Sequence, residues 1–175
     1  RETQQRATSA LRAGTIMNIS IPIRAIRSYT QRLCAEPSRV FPLLCPVREA
    51  EWLQTWDPID VKSTSGGAEV DCVFTTPTSP TNAVWYITRH EPESFFVEMI
   101  KISPDVTACK LSIQLSTVPD GCDAIITYTH TSLGPAGDKF IADFTEEHYI
   151  AFMRDWEKRL NYFLKTGDIL RGAEV

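Results

Sequence analysis

The stretch TEEHYIAFMRDWEKRLNYFLKTG, residues 145–167, restricts the fold more than any other. Thr145 is a good N-cap, because its side-chain oxygen accepts a backbone N–H that the first turn leaves free. Glu146 and Glu147 follow in the first turn, where carboxylates suit the positive end of the helix dipole. Lys165 falls in the last turn and Gly167 supplies the stop. Between these ends Tyr149, Phe152, Met153, Trp156, Leu160, Phe163 and Leu164 recur at helical spacing. Arg154, Asp155, Glu157, Lys158 and Asn161 fill the other face, which is read as solvated. A helix of about 20 residues, about 30 Å long, with one apolar stripe must lie on a second layer.

The preceding chain offers that layer. Residues 24–34, RAIRSYTQRLC, read as a first strand. Six further strand-like runs cover 59–65, 71–77, 83–91, 94–103, 107–118 and 122–133. Gly66-Gly67, Glu91-Pro92-Glu93, Ser103-Pro104-Asp105 and Pro119-Asp120-Gly121 mark hairpin turns between them. Connections this short imply antiparallel pairing in one sheet of about seven strands. In 107–118, Cys109, Leu111, Ile113 and Leu115 alternate with Lys110, Ser112, Gln114 and Ser116, so the sheet has one wet face. In 122–133 the row Thr127, Thr129 and Thr131 is assigned to water. Ile126, Tyr128 and His130 then point inward, and the same alternation is compatible with the opposite assignment.

Between the first strand and the rest lies VFPLLCPVREAEWLQTWDP, residues 40–58, with two of the chain's four tryptophans. Pro42 and Pro46 limit any helix there, since each removes a backbone donor and crowds the turn before it. Two short helices joined at Cys45-Pro46 are expected, then an irregular QTWDP. A further short helix, GDKFIADF, is expected after Gly134-Pro135.

Composition narrows the function. A net charge of -4 leaves no basic footprint, which argues against nucleic acid as a partner. The five cysteines, at 34, 45, 72, 109 and 122, form no C-x-x-C pair. Neither a disulfide framework nor a zinc site follows, and a reducing, cytoplasmic setting is the simplest reading. No run of about 18 apolar residues suggests a membrane span. Nucleophile elbow, P-loop, G-x-G-x-x-G and H-E-x-x-H are missing, so no cofactor is implied. The three histidines do not stand at metal-ligand spacing, and no metal is expected. Residues 1–16, polar and with three arginines, read as a flexible or non-native extension, with an Arg-rich targeting tail as an alternative.

The order strand, two short helices, six strands, long helix resembles the START-like superfamily, also called SRPBCC. CPVREAEW (45–52), CVFTTP (72–77), VWYITR (84–89), FTEE (144–147) and WEKRLNYFL (156–164) are similar to phrases of bacterial SRPBCC proteins without an assigned reaction. The likeness runs from about Arg24 to Gly167. Gln54-Thr55-Trp56 departs from it, because a glycine is expected before the second tryptophan. The resemblance implies an α+β helix-grip fold, with residues 17–175 as a single domain. A curved antiparallel sheet wraps the C-terminal helix, and the two short helices close one end of a deep apolar cavity. It also implies binding or transport of a small hydrophobic molecule (a lipid, a polyketide or an aromatic).

On this reading Trp52, Trp56, Phe74, Trp85, Arg89, Phe96, Tyr128, His130, Phe152 and Trp156 are the cavity candidates. Trp52 either lines the cavity or packs the helix pair onto the sheet. Trp56 is read as rim. Phe152 and Trp156 are core wherever the sheet lies flat on the helix. Arg89 is placed with Trp85 and Ile87, to pair with Glu98 or to receive a ligand carboxylate or phosphate. Of Glu49 and Glu51, which point to different sides, one is solvated and one pairs with Arg48 or Arg89. His90 and His148 are expected to be exposed.

A non-catalytic binder requires a cavity of about 300 Å³ or more. A cyclase- or dehydratase-type enzyme requires Tyr128 and His130, with Glu49 as an optional third acid–base group and Arg89 holding an oxyanion, to converge on one point. A filled interior beneath an exposed apolar patch points instead to a protein-interaction module.

Overall fold

The structure, a computed structural model, describes residues 17–172. The reading of residues 1–16 as an extension lies outside the described residues. Strand β1 (Arg24–Leu33) leads into helix α1 (Pro37–Val40) and two 3-10 turns, Phe41–Leu43 and Arg48–Glu51. Strands β2 (Asp60–Lys62), β3 (Val73–Thr76), β4 (Ala83–Glu91), β5 (Phe96–Ser103), β6 (Thr107–Val118) and β7 (Gly121–Ser132) follow. Helices α2 (Pro135–Asp143) and α3 (Glu146–Thr166) complete the order.

The seven strands form one sheet in the order β1-β7-β6-β5-β4-β3-β2. Every neighbouring pair is antiparallel. Strands β2 to β7 make a meander, and β1 crosses over to pair with β7 from Cys122 to Thr131. Alternation predicts the faces correctly here: Leu111, Ile113, Leu115, Ile126, Tyr128 and His130 are buried. Pro119 and Asp120 form the tight β6–β7 turn, with Asp120 at φ 65°. Gly121 follows at φ 157°, and a Cβ there would meet the carbonyl oxygen of Leu33 at 1.9 Å. That close approach needs glycine.

Gly66-Gly67 does not make the expected hairpin. Strands β2 and β3 hold only three and four residues, and the segment between them is a polar loop. Its backbone is satisfied by side chains in place of a ladder. The Glu69 carboxylate accepts the N–H groups of Thr64 and Ser65, and Ser63 Oγ accepts those of Gly66 and Gly67.

Helix α3 begins at Thr145, whose Oγ1 accepts the His148 N–H at 3.1 Å, and stops at Gly167 with φ 77°. Thr145→Ala is expected to cost about 1 kcal/mol, readable in a urea unfolding curve. Tyr149, Met153, Leu160 and Leu164 are buried against the sheet. Tyr149 Oη donates to the Ile126 carbonyl at 2.6 Å. The opposite face is less wet than the sequence reading has it. Glu157 accepts the Arg32 N–H, Asn161 both accepts from Cys34 and donates to Arg32, and Asp155 pairs with a buried Arg159 at 2.6 Å. The bonds of Glu157 and Asn161 clip α3 onto edge strand β1, while the Asp155–Arg159 pair lies within α3. A local helical pattern cannot show that the sheet curls far enough to reach this flank.

Candidate functional site

Four inward side chains lie side by side across the sheet. Trp85 of β4 is in register with Lys101 of β5, Lys101 with Cys109 of β6, and Cys109 with His130 of β7. Directly opposed residues in such ladders have Cβ atoms about 5 Å apart. Phe74 of β3 stacks on Trp85 with ring centroids 5.3 Å apart. From the segment after β1, Trp56 donates Nε1–H to the Pro46 carbonyl at 2.6 Å and sets its ring edge-on to Phe74 and Trp85. From α3, Phe152 and Trp156 meet edge-to-face at 5.3 Å.

The sheet and α3 do not close fully between these rings. Two adjoining hollows share the walls Trp56, Trp85, Tyr128 and Trp156. The deeper holds about 20 Å³, enough for a single water, among Leu44, Pro46, Glu49, Phe74, Met99 and Leu111. The outer holds about 250 Å³ and adds Lys101, His130, Phe140, Phe144, His148 and Phe152. It is smaller than expected because aromatic side chains fill much of the interior.

The polar groups here are shaped chiefly by burial. Arg48 forks onto Glu51 at 2.9 and 3.0 Å, so Glu49 is left without it. Burial alone raises the Glu49 carboxyl to about 8. Burial also pushes the Tyr128 phenol well above its ordinary value. His130 is lowered to about 4, first by burial and then by Lys101. Its Nδ1 is buried with no hydrogen-bond partner among the described residues. Lys101 is lowered by burial, and its Nζ sits 4.9 Å from the Trp85 ring centroid. Among the described residues no group of three or more His, Cys, Asp or Glu could hold a metal. Among the described residues no helix is long and apolar enough to cross a membrane.

No protein-family model matches the sequence, and no curated protein does so. Solved structures do match. Norcoclaurine synthase from Thalictrum flavum is 11% identical, covers 94% of this chain and 99% of its own, and gives a TM-score of 0.63. The same enzyme in complex with dopamine and hydroxybenzaldehyde covers 89% and 98%, with 11% identity and a TM-score of 0.59. An uncharacterised protein from Rhizobium leguminosarum is 13% identical, covers 85% and 99%, and gives 0.59. The chain has the START-like helix-grip fold.

The helix-grip arrangement brings seven of the ten sequence candidates to the hollows: Trp56, Phe74, Trp85, Tyr128, His130, Phe152 and Trp156. Three lie elsewhere. Trp52 is fully buried, donates Nε1–H to the Leu43 carbonyl at 3.0 Å and stands edge-on to Trp156, so it packs the short helices onto the core. Arg89 leaves the inner face because a bulge shifts the β4 register between Ile87 and Arg89. It pairs with Glu91 at 2.6 Å and covers the Phe96 ring at 4.4 Å. Glu98 instead accepts from Thr88 at 2.9 Å. Phe96 shares the outer face with Glu98, opposite the buried Val97 and Met99. The same bulge turns His90 inward, where it lies 5.2 Å from Phe41 and its pKa falls, chiefly through burial. With Arg89 outside the hollows, the groups of the cyclase-type reading do not converge, and the optional Glu49 lines a different hollow from His130.

Sequence reasoning passed over Lys101. The signal was there: Val97, Met99 and Lys101 alternate on the dry side of β5, which puts a lysine where an apolar residue belongs. His148, though exposed as expected, stands at the mouth of the outer hollow.

Proposed function

We propose that this protein binds a small aromatic molecule, of one or two rings, in the outer hollow. One observation carries the reading: an opening of about 250 Å³ walled by Trp56, Trp85, Tyr128, Phe144, Phe152 and Trp156. A ligand ring in that volume can meet the wall rings edge-to-face, and aromatic pairs add about 1 kcal/mol beyond area burial. The volume lies below the ~300 Å³ at which ligand sites usually begin. That favours an aromatic over a lipid or a folded polyketide. The complex of norcoclaurine synthase with dopamine and hydroxybenzaldehyde, both single-ring molecules, supports the same size class for this fold. Five free cysteines, four of them buried, support a cytoplasmic location.

The test is a titration with naphthalene derivatives, read by tryptophan fluorescence and by melting temperature. Three of the four tryptophans line the hollow, so binding should quench emission. At a hundredfold excess over Kd the native state should gain about 3 kcal/mol. Phe152→Ala should weaken binding with little change in the emission of the free protein. A panel of one- and two-ring aromatics that neither quenches nor stabilises would overturn the reading.

A further inference from the structure

Among the described residues the outer hollow contains basic groups and lacks an acidic one. Lys101, His130 and His148 line it, and no described aspartate or glutamate does. Glu49 lines only the deeper hollow, where burial holds it protonated at neutral pH. Lys101 makes no ion pair among the described residues. Its contact is the Trp85 ring, which keeps the ammonium over the hollow. Two strands away on the same row, His130 is 5% exposed, lines the hollow, and has a buried Nδ1 without a partner among the described residues. A half-buried cation and a buried unpaired imidazole nitrogen each cost free energy unless something satisfies them. Both requirements are met by one anionic group: a carboxylate accepts from the ammonium and from an Nδ1–H together.

We infer that the aromatic occupant of the outer hollow is a carboxylic acid, received by Lys101 and His130. The inference rests on the aromatic site proposed above and adds the group that the ligand must carry. The ring lies among Trp56, Trp85, Phe152 and Trp156, and the carboxylate faces the Lys101–Cys109–His130 row. Cys109 contributes no competing negative charge, because burial pushes its thiol up to about 12.

Matched titrations of the full chain with 2-naphthoate and 2-naphthamide at pH 7 test it. The two probes share ring and shape and differ in charge. Wild type should bind the acid about ten- to hundredfold more tightly, the span expected of hydrogen bonds to a charged group. In Lys101→Met the two affinities should converge. In Lys101→Arg, which keeps the charge, the acid should remain preferred. Each comparison is a ratio within one protein, so a general loss of stability does not imitate it. The wild-type ratio decides even if a variant fails to fold. An amide that binds wild type as tightly as the acid overturns the inference and leaves the aromatic site standing. A preference for the acid that survives in Lys101→Met overturns the role of Lys101. Failure of both probes to bind overturns the aromatic site and the inference with it.

Discussion

Glu49→Gln should be markedly more stable than wild type at pH 8 and close to it near pH 5. The cause is the buried carboxyl, whose pKa rises from 4.5 to about 8 because burial penalises its charged form. In the unfolded chain the same group ionises near its ordinary value. Between these two values the native state holds a proton that the unfolded state has released. Stability is therefore highest below the unfolded value, falls as pH rises towards about 8, and is flat above it. A shift of this size corresponds to a loss on the order of 4 kcal/mol over that window. Glutamine has nothing to ionise and should remove the slope. His130 works in the opposite direction at the acid end. Its pKa is lowered to about 4, so the unfolded state takes up the proton first and stability falls as pH drops through the range between 6.5 and about 4. In wild type the two slopes oppose each other between 4.5 and 6.5, so urea unfolding at pH 5, 6.5 and 8 reads the Glu49 limb as the wild-type fall above pH 6.5 and the His130 limb as the rise from pH 5 to 6.5 in Glu49→Gln. A wild-type curve level from pH 5 to 8, or a Glu49→Gln curve parallel to it, would contradict the burial of an unpaired carboxyl.

Trp52→Ala should be the most damaging single truncation near the site, at about 3 to 5 kcal/mol. Its side chain is fully buried, packs edge-on against Trp156 and satisfies the Leu43 carbonyl. Alanine leaves a void too large for its neighbours to fill, and an acceptor without its donor. For a chain of this size the melting temperature should fall by roughly 8 to 16 °C. Trp56→Ala provides the contrast. Trp56 is only partly buried, so its loss should cost less stability and affect ligand binding more. Thermal melts of the two variants, with and without 2-naphthoate, separate the roles. If Trp52→Ala melts within a few degrees of wild type, the short helices are not anchored as described.

Most of the scaffold was readable because its signals are local. Alternation along residues 107–118 and 122–133 determines which side chains face inward, and it does so one strand at a time. Thr145 and Gly167 bound α3 by their own backbone and side-chain chemistry. The misplacement of Arg89 and His90 has a cause that is not local. One extra residue in β4 reverses the faces beyond Ile87, which removes Arg89 from the interior and brings His90 towards it. Such a bulge depends on how β4 pairs with β5, which the β4 segment alone does not encode.

The sequence by itself determined a sheet with one dry face and a single helix able to cover it, because strand and helix periodicities are written in consecutive residues. Tertiary structure decided which polar groups share the hollow. Lys101, Cys109 and His130 are up to 29 positions apart in the chain and become neighbours only through the register of β5, β6 and β7. Glu49 owes its altered acidity to burial by distant segments. Proximity and desolvation are properties of the packed chain, so the chemistry of the site had to wait for the fold.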